Sequence, residues 1–242
     1  MKKNRAPRAD KLRERRSSRK VAAVLLFVSL VLSLAYSAVR LALAPAAAPP
    51  GQEYTHLKSD YALMCIQCLL GLFVLGLPSL ISHRWKLDIP NFIYIMYYVF
   101  LYCAIFLGEV LDFYYRLPHW DTILHFFSGA MLGALGFILV QWLNDDTSIR
   151  VSLSPSFVAL FAFCFALSCG SVWEIYEFTV DHLLGLNMQK YSSGGIPLEG
   201  HLALMDTMKD LMVDALAAFI ISFIGYLRLK LPPKADPSGD AA

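Results

Sequence analysis

Asp206-Thr-Met-Lys-Asp210-Leu-Met-Val-Asp214-Ala-Leu-Ala-Ala-Phe-Ile-Ile-Ser-Phe-Ile-Gly-Tyr226 opens with three aspartates and then runs apolar to its end. The i, i+4, i+8 spacing places all three carboxyls on one helix face, over about 12 Å at 1.5 Å per residue. With its flanks the run is long enough to cross a bilayer, which takes about 20 residues. Ionisable groups in such a segment are costly, so they face a bundle interior and mark function. Two earlier apolar segments repeat the pattern: Trp120-Asp121-Thr-Ile-Leu-His125-Phe126 and Trp173-Glu174-Ile-Tyr-Glu177-Phe-Thr-Val-Asp181. Asp121 and His125 are i, i+4. Glu174, Glu177 and Asp181 are i, i+3, i+7. Each set shares one face.

Working outward, 57% of the 242 residues are hydrophobic, and charge collects at the N-terminus and at segment ends. A soluble domain of this size disperses its charge over its surface. The reading is an all-α, polytopic membrane bundle of six transmembrane helices: Val21–Ala44, Tyr61–Ser82, Asn91–Asp112, Asp121–Leu143, Ser154–Asp181 and Leu204–Lys230. Pro45–Gly51, Ile89-Pro90-Asn91, Leu117-Pro118, Asn144-Asp145-Asp146 and Ser192–Pro197 separate them with turn residues. Residues 1–20 form a basic leader, 21–231 the membrane domain, and 232–242 a Pro/Gly/Asp-rich tail expected to be disordered. No internal repeat supports an inverted-repeat transporter.

Lysine and arginine orient the bundle. Ten lie in the first twenty residues, and Arg84, Lys86, Arg150, Arg228, Lys230 and Lys234 share their side if six helices alternate. Only Arg40, Lys58, Arg116, Lys190 and Lys209 fall opposite. The positive-inside rule therefore predicts both termini in the cytoplasm. Ala42-Leu-Ala44 resembles a signal-peptide cleavage site, but the apolar stretch exceeds the ~7–15 residues of a signal core, which favours an uncleaved first helix. A net charge of +2, once the leader is set aside, gives no footing for nucleic acid.

This topology sends nine of the nineteen acids to the non-cytoplasmic ends of helices three to six: Glu109, Asp112, Asp121, Glu174, Glu177, Asp181, Asp206, Asp210 and Asp214. His119 and His125 join them. A solvated rim accounts equally well for Asp112, Asp181 and Asp206. Arg116 and Lys209 are the only cations expected nearby, so the remaining acids take protons or surround a cation. A divalent metal, transported protons or Na⁺, or a cationic head group would serve. Carboxylates with one or two histidines suit Mg²⁺, Mn²⁺, Fe²⁺ or Zn²⁺. The candidate ligands are Asp121, His125, Glu174, Glu177, Asp206, Asp210 and Asp214, and the candidate acid–base residues are His125, Glu177 and Glu174. No Glu-x-x-His pair suggests a di-iron site. His182 and His201, read as loop residues, could complete a metal shell.

The patterns Asp121-x-x-x-His125-Phe126-x-x-Gly129, Trp173-Glu174-x-x-Glu177-Phe178 and Asp206-x-x-x-Asp210-x-x-x-Asp214-Ala215 resemble those of the YjdF-like bacterial inner-membrane proteins. Their layout is loosely similar to that of the VanZ-like proteins. The resemblance covers the last three helices, with Trp120 where the family often has Tyr and Ala215 where Gly is common. It implies a bacterial plasma-membrane protein with one acid/His site, and it carries no activity.

Other features read more plainly. Gly129, Gly133 and Gly136 form a small-residue seam suited to close helix packing, with a homodimer contact as the lesser reading. Cys65-Ile-Gln-Cys68 lies in an apolar helix and reads as packing rather than redox or metal chemistry. The aromatic run Phe92–Tyr102 reads as lipid-facing bulk. Three functions then stand: an enzyme or metal-dependent binder acting on lipid-linked or small-molecule head groups, a proton- or cation-coupled transporter, and a membrane scaffold. In the first, the metal polarises a phosphoryl or carbonyl oxygen, His125 or Glu177 is the general base, and the Gly194-Gly195 loop is a lid. Apolar cytoplasmic halves weigh against transport, which needs polar groups through the full depth.

Overall fold

The computed structural model describes residues 6–46, 56–145, 153–193 and 196–231. The chain is helical from end to end: α1 Ala6–Leu43, α2 Lys58–Val74, α3 Leu77–Trp85, α4 Asn91–Leu101, a π-helix Tyr102–Val110, α5 Phe113–Arg116, α6 Trp120–Asp145, α7 Pro155–Leu184 and α8 Met205–Lys230. A two-residue antiparallel pair, β1 Ser192–Ser193 with β2 Ile196–Pro197, and a 3₁₀ turn, Gly200–Leu204, lie before α8. Six segments are long and apolar enough to cross a membrane: Ser17–Leu43, Lys58–Trp85, Asn91–Val110, Trp120–Asn144, Pro155–Leu184 and Gly200–Lys230. The protein is a membrane helical bundle, as its hydrophobic pattern predicts.

Local chemistry explains the boundaries. At the start of α7, the Ser154 hydroxyl accepts from the Phe157 N–H at 3.2 Å and Pro155 takes the first turn, where no N–H is needed. Gly185 ends the helix at φ +64° and donates its N–H to Asp181 O. Between these stops, thirty residues span about 45 Å at 1.5 Å per residue. Against a hydrocarbon core of ~30 Å, α7 must project or tilt. Pro78 sits in the first turn of α3, and the second span bends there, through Leu75 and Gly76.

Several boundaries differ from the sequence reading. Residues 6–20 of the leader continue the first helix instead of forming a separate segment. The third span leaves helical geometry at Val110, and Asp112 takes a left-handed φ of +61°. The connection that follows contains α5. The N-terminal residues 1–5, most of the Pro45–Gly51 break, Asp146, Arg150, Gly194, Gly195, and the 232–242 tail with Lys234 lie outside the described residues.

Two packing regions build the bundle. In one, α1, α2 and α4 pack with the π-helix around Leu26, Leu30, Cys68, Tyr98, Leu101 and Ile105. The aromatic run is thus not simply lipid-facing: Phe92 and Val99 are exposed, whereas Ile93, Tyr94 and Tyr98 are buried. Tyr97 and Tyr94 donate their hydroxyls to Val74 O and Pro78 O, and the Arg19 guanidinium stacks over Tyr94. Cys68 is fully buried in this core and Cys65 partly so, and both are free thiols.

In the other region α6, α7 and α8 pack on one another, and the glycine seam is used within the chain. A Cβ at Gly129 would lie 3.0 Å from Asp214 O, one at Gly133 would meet Ile221, and one at Gly136 would lie 2.7 Å from the Ala162 Cα. Close approach of α6 to its neighbours needs these glycines. That approach carries the ionisable faces of the three helices together.

Candidate functional site

His125, four residues into the second turn of α6, is the hub. Its Nδ1 donates to Asp214 Oδ2 at 3.3 Å. Its Nε2 faces Asp121 Oδ1 at 3.8 Å, Glu174 Oε1 at 3.9 Å and Asp210 Oδ2 at 3.9 Å. Those three distances are too long for hydrogen bonds. Glu174, Asp210 and Asp214 expose 4%, 1% and 1% of their surface, which rules out interfacial snorkelling. Both Glu174 oxygens and the Oδ1 atoms of Asp210 and Asp214 are buried without a hydrogen-bond partner. Such atoms are expensive unless something satisfies them.

Asp121, His125 and Asp210 each offer a ligand atom, all within 4.8 Å of one another, a spacing that could hold a metal ion. Contraction by an ångström or less reaches the separations found around a small divalent cation. The Nδ1 bond to Asp214 fixes the imidazole so that Nε2 is presented to the three carboxylates, the usual arrangement of a metal-binding histidine. Gly170 on α7 makes room: a Cβ there would collide with the Asp214 carboxylate.

Two other ligand candidates take different places. Asp206 lies at the edge of the cluster, 3.2 Å from Lys190 Nζ, which also bonds Asp121. Glu177 accepts from its own-helix neighbour Trp173 Nε1 at 2.9 Å and lines a cavity beside the cluster with Asp121, His125 and Lys190. It makes no direct bond to His125.

Lys190 is the cation that the sequence reading missed, having assigned that role to Arg116 and Lys209. It sits in the α7–α8 connection at φ +49°, a left-handed conformation uncommon for lysine. Burial alone would lower its pKa. Attraction to Asp121 and Asp206, and hydrogen bonds to both, outweigh that and shift it upward from the ordinary lysine value. The ammonium is therefore firmly charged.

The connection is tied in place on several sides. Asp181 accepts the backbone N–H groups of Met188 at 2.8 Å and Gln189 at 2.9 Å. Gln189 Nε2 donates to Thr207 Oγ1 at 2.7 Å, and Asn187 exchanges two bonds with Ser192. Asp181, 4% exposed, is thus a buried loop anchor and not a solvated rim acid. A positive charge among acids in an adjoining loop was the available signal for Lys190, but no periodicity positions a loop residue.

Asp112 is likewise buried and stands apart. His56 Nε2 lies 3.0 Å from its Oδ1 and Arg116 Nη2 3.4 Å from its Oδ2. His182 belongs to α7, is exposed and stacks on Phe178. His201 and His119 are exposed too, and none of the three reaches the cluster. Glu109, at the end of the π-helix, lines the cavity. Tyr114 lines it as well, its phenol pushed well up by burial first and then by Glu109 and Asp121.

No solved structure matches this chain. An uncharacterized protein of Thermotoga maritima is 31% identical over 129 residues, which is 53% of this chain and 57% of that protein. The chain thus spans somewhat over half the length of this relative. The family model described as "Predicted membrane protein (DUF2238)" matches residues 19–231, from the first span to the end of α8. Six apolar helices and this match together show that the chain belongs to the DUF2238 family of predicted membrane proteins, the YjdF-like group that its acid/His motifs resemble.

Proposed function

We propose that the cluster is a divalent-metal centre, facing the non-cytoplasmic side, at which the protein binds or acts on a lipid-linked head group. The observation that carries this is the environment of His125: one ring nitrogen tied to Asp214, the other turned to three carboxylates at 3.8–3.9 Å with no hydrogen bond to any. Asp121, His125 and Asp210 are the central ligands, Glu174 completes the shell, and Asp214 orients the imidazole. Mixed nitrogen and oxygen donors suit Zn²⁺, Mn²⁺ or Fe²⁺ better than Mg²⁺, which favours oxygen and retained water. With His125 engaged as a ligand, Glu177 on the cavity wall is the acid–base candidate. Lys190 and the metal offer positive charge to a phosphoryl or carbonyl oxygen.

Metal analysis of the detergent-purified protein tests the centre. The wild type should carry stoichiometric metal and melt higher with it, whereas the Glu174→Gln/Asp210→Asn double variant should carry little and lose the shift. A melting temperature indifferent to Mg²⁺, Mn²⁺, Fe²⁺ and Zn²⁺ after chelation and dialysis would sink the metal reading. The orientation has its own test. A cysteine at Ser193, in a background stripped of native cysteines, should be labelled on intact cells. Labelling only after lysis would move the centre to the cytoplasmic face.

A further inference from the structure

The cavity beside the cluster is much larger than an ion needs. It measures about 450 Å³, within the ~300–1,000 Å³ usual for organic ligands. Its charged and hydroxyl-bearing groups gather at one end, where Glu109, Tyr114, Asp121, His125, Glu177 and Lys190 line it. From there the wall runs along α2 to Val74, back along the π-helix and α4 to Tyr97, and along α6 to Leu132. Leu70, Leu101, Ala104, Ile105, Met131 and Leu132 make the deep part apolar, and the Tyr97 hydroxyl there is already committed to Val74 O. Eleven residues separate Asp121 from Leu132, roughly 17 Å at 1.5 Å per residue.

The place of this cavity in the bundle fits its lining. Helix α2 packs on α1 and the π-helix, α7 packs on α6 and α8, and both contribute to the wall. The cavity is therefore a slot between the two halves, parallel to the helices and within membrane depth. A deep apolar end argues against an ion path, which needs polar groups throughout. A polar end joined to a long apolar one matches an amphiphile lying along the membrane normal.

We propose that the slot holds a single hydrocarbon chain of a lipid phosphate, with the phosphate at the acid/His centre and the chain running down to Tyr97 and Leu132. The phosphate assignment rests on the metal centre proposed above, because Lys190 alone cannot offset the surrounding carboxylates. The chain assignment stands on the shape and lining of the slot.

Dodecyl phosphate carrying a nitroxide at the chain terminus, added to the protein in phosphatidylcholine nanodiscs with Zn²⁺, tests both parts by electron spin resonance. The expected spectrum has one immobilised nitroxide per protein, displaced by unlabelled dodecyl phosphate and not by dodecyl trimethylammonium. Ala104→Phe and, separately, Leu132→Phe should cut the immobilised fraction at least tenfold while each variant binds Zn²⁺ at wild-type stoichiometry. Leu216→Phe, at an exposed position on α8, should change nothing. Absence of the immobilised signal from Zn²⁺-loaded wild type overturns the chain assignment, as does its persistence in both cavity variants. Displacement by the ammonium compound instead overturns the phosphate. A chain held one to one by a protein that binds no Zn²⁺ overturns the metal centre and leaves the chain assignment standing.

Discussion

His125 and His56 meet carboxylates at the same end of the bundle under opposite conditions. His56 shares Asp112 with Arg116, and the neighbouring Asp60 and Arg116 side chains are 42% and 71% exposed, so water and counterions complete the balance. His125 faces four carboxylates whose side chains are 2–19% exposed, and several of their oxygens have no partner. The first group is a surface ion network that closes on itself. The second is short of positive charge and shut away from the solvent that would supply it. A histidine and aspartates at helical spacing are common to many membrane helices; the deficit of cations around buried oxygens is what distinguishes a candidate site.

Substitution can break this comparison. His125→Phe leaves four buried acids without their central partner, and breaking a buried pair typically costs about 3–5 kcal/mol. It should give the largest fall in melting temperature of the detergent-purified protein, and a drop no greater than that of a surface variant would contradict the deficit. Gly170→Ala drives a methyl group into the Asp214 carboxylate. Overpacking of this kind costs about 1–3 kcal/mol, and here it should also weaken metal binding, which calorimetric titration with Zn²⁺ would read. Lys190→Met removes the cation joining Asp121 to Asp206, with an expected loss of about 1–3 kcal/mol for stranding charged acceptors. Its signature is faster proteolysis within the α7–α8 connection, and unchanged cleavage there would show that Asp181 and Gln189 hold the loop unaided. His56→Phe should be the mildest, ~1 kcal/mol or less, because Arg116 remains beside Asp112 and the network is partly exposed. A Zn²⁺ titration of that variant should match wild type.

The bundle was legible because length and hydrophobicity alone define a bilayer-crossing helix, and Ser154-Pro155 and Gly185 punctuate α7 through purely local chemistry. The faces carrying Asp121, His125, Glu174, Asp210 and Asp214 were legible for a related reason: helical periodicity is local, and intramembrane charges converge because isolation costs too much. Other roles depend on paths through space. Lys190 reaches Asp121 across a connection whose course is set by Asp181, Gln189 and Asn187, and nothing in the spacing of residues 185–199 encodes that course. Asp112 reads as the last acid of a helix, yet its left-handed φ turns it away to His56. Tyr94 and Tyr98 have the composition of a lipid-facing belt and are buried because α4 lies against α1.

The π-helix has a consequence for how this chain tolerates insertion and deletion. Winding more than the 3.6 residues of an α-turn into each turn, residues 102–110 hold surplus chain in the middle of a membrane span. Removing one residue would relax the stretch toward α-geometry without shortening the span appreciably, but it would rotate everything beyond the cut by about 100° relative to what precedes it. Glu109 would swing off the cavity wall, and the turn that aims Asp112 at His56 would start from a different bearing. Relatives that differ by a single residue between Tyr102 and Val110 should therefore differ in what lines the slot, even where every ionisable residue of α6, α7 and α8 is retained.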